Sequence, residues 1–179
     1  RDLPLSLANL HRLEVLFLHT NYIAEFPEVV CRLENLRELN FRNNNLKNLP
    51  KSIGNLRNLS IFSFSQNRLK LLPQSIGNLQ KLISVYLNDN QLESLPETIG
   101  NLKLLYVIEI ARNKIGKIPV SMANLNNLRY FYADDNHLTQ LPDTWCKKYW
   151  DNKLGILIDG NPLTIKAFNS RCKQTVQKR

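Results

Sequence analysis

Long apolar runs are missing from this chain of 179 residues: eighteen consecutive apolar residues occur nowhere, so no membrane-spanning helix is expected. The first residues lack the succession of charged, apolar and small residues that marks a signal peptide. Cysteine is scarce. Cys31, Cys146 and Cys172 cannot all pair with one another, and none lies in a C-x-x-C or histidine-rich setting that would suggest zinc. Reduced, partly buried thiols in an intracellular, cytoplasmic protein are the expectation. No phosphate loop, G-x-S-x-G or H-E-x-x-H occurs, so no catalytic residue, cofactor or metal ligand is assigned. What remains is a chain with 43% hydrophobic residues, enough for a substantial core. Its net charge of +9 is uneven: residues 143 to 179 hold eight Lys/Arg against three Asp.

The chain repeats itself. "LEVLFLHTNYI", "LRELNFRNNNL", "LSIFSFSQNRL", "LISVYLNDNQL", "LYVIEIARNKI" and "LRYFYADDNHL" are followed by a shifted "KLGILIDGNPL". The unit places Asn21, Asn44, Asn67, Asn90, Asn113 and Asn136 at intervals of 23, and Asn161 at 25. Alternation such as Leu82, Val85 and Leu87 predicts a short strand with one face inward. The asparagines fall just past it, where a carboxamide donates to and accepts from turn backbone of adjacent coils, and stacked they form a ladder. The other half of the unit reads "LPKSIGNL", "LPQSIGNL", "LPETIGNL" and "IPVSMANL". Proline suits the first position of a helical segment, and the glycine keeps that segment short. Strands stacked about 4.8 Å apart, opposite bulkier helical turns, make the stack curve, with the parallel sheet on the inner face.

These units carry the L-x-x-L-x-L-x-x-N-x-L pattern of a leucine-rich repeat. Over residues 3 to 163 the chain resembles intracellular leucine-rich repeat proteins of the Ras-scaffold type, their plant relatives and bacterial leucine-rich repeat effectors. The resemblance implies an α/β class, curved solenoid with a concave parallel sheet and short helical or 3₁₀ convex segments. It also implies binding of a protein on the concave face.

Two parts are expected: repeats over 1–141, about six coils without an N-terminal cap, and over 142–179 a last strand with a helical cap. Arg1 and Asp2 stand where an N-terminal cap is expected, which suggests a piece of a longer protein. An uncapped first rung invites edge-to-edge self-association. At the other end, Trp145, Cys146, Tyr149 and Trp150 share one helical face, and Ile165, Phe168, Cys172 and Val176 another, suited to covering the last rung.

Outward positions of the strand triplet x-L-x are free of the core's demands. Ser63, Ser65 and Ala111 are read among them. Tyr86, Tyr130 and Tyr132, with Glu109 between them and Asn88, Asp89, Arg112, Asp134 and Asp135 beside them, make an aromatic and acidic tract that fits a basic or mixed protein surface. Asp134, Asp135 and Asp159 read as a solvated acidic face. Ser63 and Ser65 lie two rungs, roughly 10 Å, from the nearest concave histidine, His19, too far to be activated. The first rungs present Val15, Phe17, His19 and Arg42 instead, a second contact zone or a surface that packs against further repeats. The basic tail "SRCKQTVQKR" reads as the solvated face of a capping helix, and no nucleic acid is expected. The function expected is a non-catalytic scaffold or adaptor. The alternative is the recognition arm of a larger enzyme or of a bacterial effector delivered to a host cytosol.

Overall fold

The computed structural model describes residues 3–151 and 153–177. Arg1, Asp2, the side chain of Val176 and the last two residues of the basic tail lie outside this description.

Seven three-residue strands form one parallel sheet in chain order: β1 Val15–Phe17, β2 Glu38–Asn40, β3 Ile61–Ser63, β4 Ser84–Tyr86, β5 Val107–Glu109, β6 Tyr130–Tyr132 and β7 Gly155–Leu157. The register never slips, so Leu39, Phe62, Val85, Ile108 and Phe131 lie in one line. All five are fully buried. Strand pairing continues past the strands: Asn43 N–H donates to Ser65 O at 3.0 Å, Gln66 to Asn88 O at 2.8 Å and Asp89 to Ala111 O at 2.9 Å. Gln66, Asp89, Arg112 and Asp135 accept a left-handed backbone there, with φ of 52° to 58°, at the corner where each coil leaves the sheet.

The opposite side carries six 3₁₀ segments of five residues, from Leu5–Asn9 to Val120–Asn124. Proline stands one residue earlier than its expected place. Pro50, with φ −73° and ψ 157°, precedes the segment, and its carbonyl accepts the N–H of Ile53 at 3.1 Å. In a 3₁₀ turn the acceptor three residues back is the useful position, and proline keeps that carbonyl although it lacks an N–H. The glycines have a further reason to be there. A Cβ on Gly77 would lie 2.6 Å from Thr98 Cβ of the next coil, and one on Gly100 2.4 Å from Ser121 Cβ. At Gly54, Gly77 and Gly100 the convex turns pack too closely for a side chain, whereas the turns with Ala8, Cys31 and Ala123 at the same place accommodate one.

Between the layers runs a continuous core. Phe26, Phe41 and Phe64 stack in succession, with ring centroids 5.0 Å and 5.3 Å apart, and Phe62 lies 4.1 Å from Phe64. In the last coil a short helix, α1 Trp145–Trp150, replaces the 3₁₀ segment and takes up the two extra residues, and β7 keeps its register with β6. A second helix, α2 Ile165–Gln177, follows. Trp145 packs edge-on to Phe131 at 5.0 Å, and Tyr149 to Phe168 at 5.7 Å. Trp150 leaves the shared face and is 47% exposed.

The cysteines correct the expectation of reduced thiols. Cys146 of α1 and Cys172 of α2 form a disulfide, with Cα atoms 5.1 Å apart, while Cys31 stays a buried free thiol whose pKa burial pushes up. Their spacing of 26 residues carried no sign of this pairing, because β7 lies between the two helices and only the fold brings them together. No helix among the described residues is long and apolar enough to cross a membrane.

Candidate functional site

The asparagines are structural groups with definite partners. Asn67 Nδ2 donates to Phe41 O of the preceding coil at 2.9 Å and to Phe64 O of its own at 3.1 Å, and its Oδ1 accepts Leu46 N–H at 3.0 Å. Asn44, Asn90, Asn113 and Asn136 repeat this pattern and are all buried. Asn161 does the same half-buried, with Ala133 O at 2.8 Å and Leu138 N–H at 2.9 Å. Asn21 differs: it is exposed, and its side chain bonds Leu18 O and His19 O of its own coil.

Of the residues assigned to the sheet face, several are tied up by neighbours. Glu109 Oε2 accepts from Asn88 Nδ2 at 2.6 Å, and Asn88 Oδ1 accepts Ala111 N–H at 2.8 Å. Arg112 grips Asp89 through two nitrogens, Nη2 at 2.8 Å from Oδ2. That hydrogen bond, and then the charge of the guanidinium, hold the Asp89 carboxyl below the usual range and raise Arg112 in turn. Asp134 Oδ1 accepts Asp159 N–H at 3.0 Å. Asp135 packs against Gly160, where a Cβ would strike its carboxylate. Ser65 and Ala111, read as outward, are buried. At that column the chain has already begun to turn into the left-handed corner, so alternation along the strand no longer decides which side faces solvent.

The aromatic part is organised differently from the acidic part. Tyr130 is 40% exposed, lies 6.0 Å from Tyr132, and meets Tyr106 edge-on at 5.5 Å. Tyr106 and the exposed Ile83 precede their strands by one residue, a column the triplet reading left out. Tyr86 is half-buried two strands away from Tyr132, with Glu109 between them. Asp89, Asp134 and Asp135 thus lie where coils leave the sheet, Tyr86, Glu109 and Tyr132 share the last strand position beside them, and Tyr106 and Tyr130 lie on the side where coils enter it.

On that entering side, at the last rung, the surface falls into a cleft of about 810 Å³. Tyr130 and Tyr132 of β6 form one wall, Tyr149 and Trp150 of α1 another, and β7 lies along it. Arg129, Lys153 and Lys173 also line it, and no carboxylate does. None of Arg129, Tyr149, Trp150, Lys153 or Lys173 was legible as a site, because they come from three elements that only the cap brings together. Among the described residues no group of three or more His, Cys, Asp or Glu is placed to hold a metal ion.

Known proteins agree with this architecture. The family pattern described as Leucine rich repeat matches residues 80–138, and a second one of the same description matches 35–56. A leucine-rich repeat protein of Leptospira interrogans is 29% identical and superposes over 99% of the chain with a TM-score of 0.86. The PEPR1–AtPEP1 structure is 28% identical over 94% (TM-score 0.80), and a TDR receptor 30% identical over 89% (TM-score 0.79). No curated protein matches the chain. With the constant register and the asparagine ladder, these likenesses identify a leucine-rich repeat protein. The chain spans 43%, 25% and 28% of the lengths of those three structures. Proteins of this family are typically non-catalytic modules that bind protein partners.

Proposed function

We propose that this chain is a non-catalytic recognition module that binds a protein partner on the concave sheet face, as a scaffold or adaptor. The observation that carries this reading is the pair of the exposed Tyr130 and the half-buried Tyr132 on the outward side of β6, with ring centroids 6.0 Å apart. Tyrosine presents a rigid apolar body with a polar end, at little entropic cost on binding. Tyr86, Asn88, Asp89, Glu109, Arg112, Asp134 and Asp135 complete the surface. Their mutual hydrogen bonds hold the polar groups in place before a partner arrives, which lowers the cost of association. Affinity capture from cell extract with the chain and with its Tyr130→Ala/Tyr132→Ala variant tests this. A protein lost with the double variant, at unchanged circular dichroism, is the expected result, and equal capture removes the concave face from consideration.

The second reading is a recognition arm of a larger enzyme or effector. It is favoured by the length of the related structures, of which this chain spans less than half. The complete reading frame distinguishes it, since a catalytic domain beside the repeats is required.

A cytoplasmic setting, or a host cytosol for a delivered effector, follows from the likeness to intracellular repeat proteins. It is opposed by the Cys146–Cys172 disulfide, which a reducing cytosol would open. Thiol labelling of protein taken from its own cells decides between these. Self-association through β1, an edge strand of the sheet, is a further proposal, tested by sedimentation over a concentration series.

A further inference from the structure

The cleft at the last rung differs in charge from the rest of the sheet face. Arg129, Lys153 and Lys173 line it without a carboxylate among the lining residues. Lys153 pairs with the exposed Asp151, at 3.8 Å. Arg129 spends one nitrogen, Nη1, on Asn126 O and Leu128 O at 3.2 Å and 3.3 Å. Burial, and then the charge of the nearby Arg129, lower the pKa of Lys148.

The walls are apolar. Trp150 is half exposed whereas Trp145 and Cys146 of the same helix are buried, and Tyr130 lines the same space. On β7 Gly155 stands beside Tyr130 of β6 and leaves room for the Tyr130 ring, and the exposed Leu157 adds apolar lining. One polar atom there is unmatched: Asn169 Oδ1 of α2 is buried without a hydrogen-bond partner and its residue lines the cleft.

We propose that this cleft takes an acidic segment of a protein partner, whose carboxylates meet Arg129, Lys153 and Lys173 and whose apolar side chain lies between Tyr130 and Trp150. This rests on the reading of the concave face as a protein-binding surface and adds the chemistry of the partner. Guanidinium and ammonium groups pair with carboxylates, and aromatic walls take up the apolar part of a peptide. A volume of about 810 Å³ lies within the roughly 300–1,000 Å³ range of built ligand sites and suits a few residues. Three cations are few for a polyanion, whose binding draws on many phosphate contacts.

Selection from a random twelve-residue peptide library, on the chain and on its Lys153→Glu/Lys173→Glu variant, tests this. Both lysines are exposed, and Arg129→Gln is a second variant should the first unfold. The expected result is enrichment of acidic peptides on the parent chain alone, their binding by fluorescence anisotropy about tenfold weaker in either variant and weaker in salt. Enrichment without acidic excess, the same peptides on both chains, or no enrichment overturns the proposal. So does tighter binding of poly(U) RNA or phosphatidylserine vesicles than of any selected peptide. Should a partner captured from extract depend on Tyr130 and Tyr132 but not on the two lysines, the cleft fails and the concave-face reading stands. Should capture ignore the tyrosines, that reading fails with it.

Discussion

Asn90 and Asn21 occupy the same place in the repeat and do different work. Asn90 accepts Leu69 N–H at 3.0 Å and donates to Phe64 O and Leu87 O, all buried. Asn90→Ala strands these groups and is expected to cost about 3 kcal/mol. Asn21→Ala loses only exposed bonds within its own coil and is expected to cost under about 1 kcal/mol. Urea denaturation of the two variants checks the contrast. A residue-scale test of charge lies in the Asp89–Arg112 pair. The folded value of Asp89 is depressed, so the pair's contribution is present above the ordinary aspartate value of about 3.9 and is lost as pH falls through the lowered folded value. Arg112 is exposed and Asp89 about a third exposed, so solvent screening keeps the contribution under about 1 kcal/mol. Asp89→Asn is therefore expected to lower the midpoint slightly at neutral pH and to match the parent in strong acid, in thermal melts across pH.

At the scale of elements, the convex turns are held by proximity. Gly77→Ala places a methyl against Thr98 and is expected to cost about 1–3 kcal/mol, whereas a glycine that only shortened a helix would tolerate alanine or gain from it. Chemical denaturation decides between the two roles. The cap offers a second test. Joining α1 to α2 across a loop of 26 residues contributes about 3 kcal/mol in the chain-entropy account, so Cys146→Ser/Cys172→Ser is expected to lose about that much and to loosen the last rung first, read by hydrogen exchange in β7. These elements also mark what the sequence made legible. The period located every strand, since an inward residue followed by an asparagine recurs at a spacing only a stacked coil explains. Ser65 and Ala111 were misread because the chain has begun its left-handed corner there, and alternation stops at the strand's end. The disulfide was invisible because its partners meet only after two helices and a strand have packed.

For the whole molecule, the sheet face divides along its length and across its width. Val15 and Phe17 expose apolar surface on the first strand, aspartates of the later coils line the edge where coils leave the sheet, and Tyr130 and Tyr132 run into a basic cleft at the last rung. Outward tyrosines were readable from the triplets, but Arg129, Lys153 and Lys173 were not, since their meeting depends on where α1 and α2 settle. The central claim is that the sheet face, and not the convex side, meets the partner. Placing a photo-crosslinking amino acid at Tyr132, and separately at the exposed Asn78 on the convex side, tests it most directly in living cells. The account predicts a protein adduct at Tyr132 and none at Asn78; an adduct at Asn78 with none at Tyr132 would contradict it.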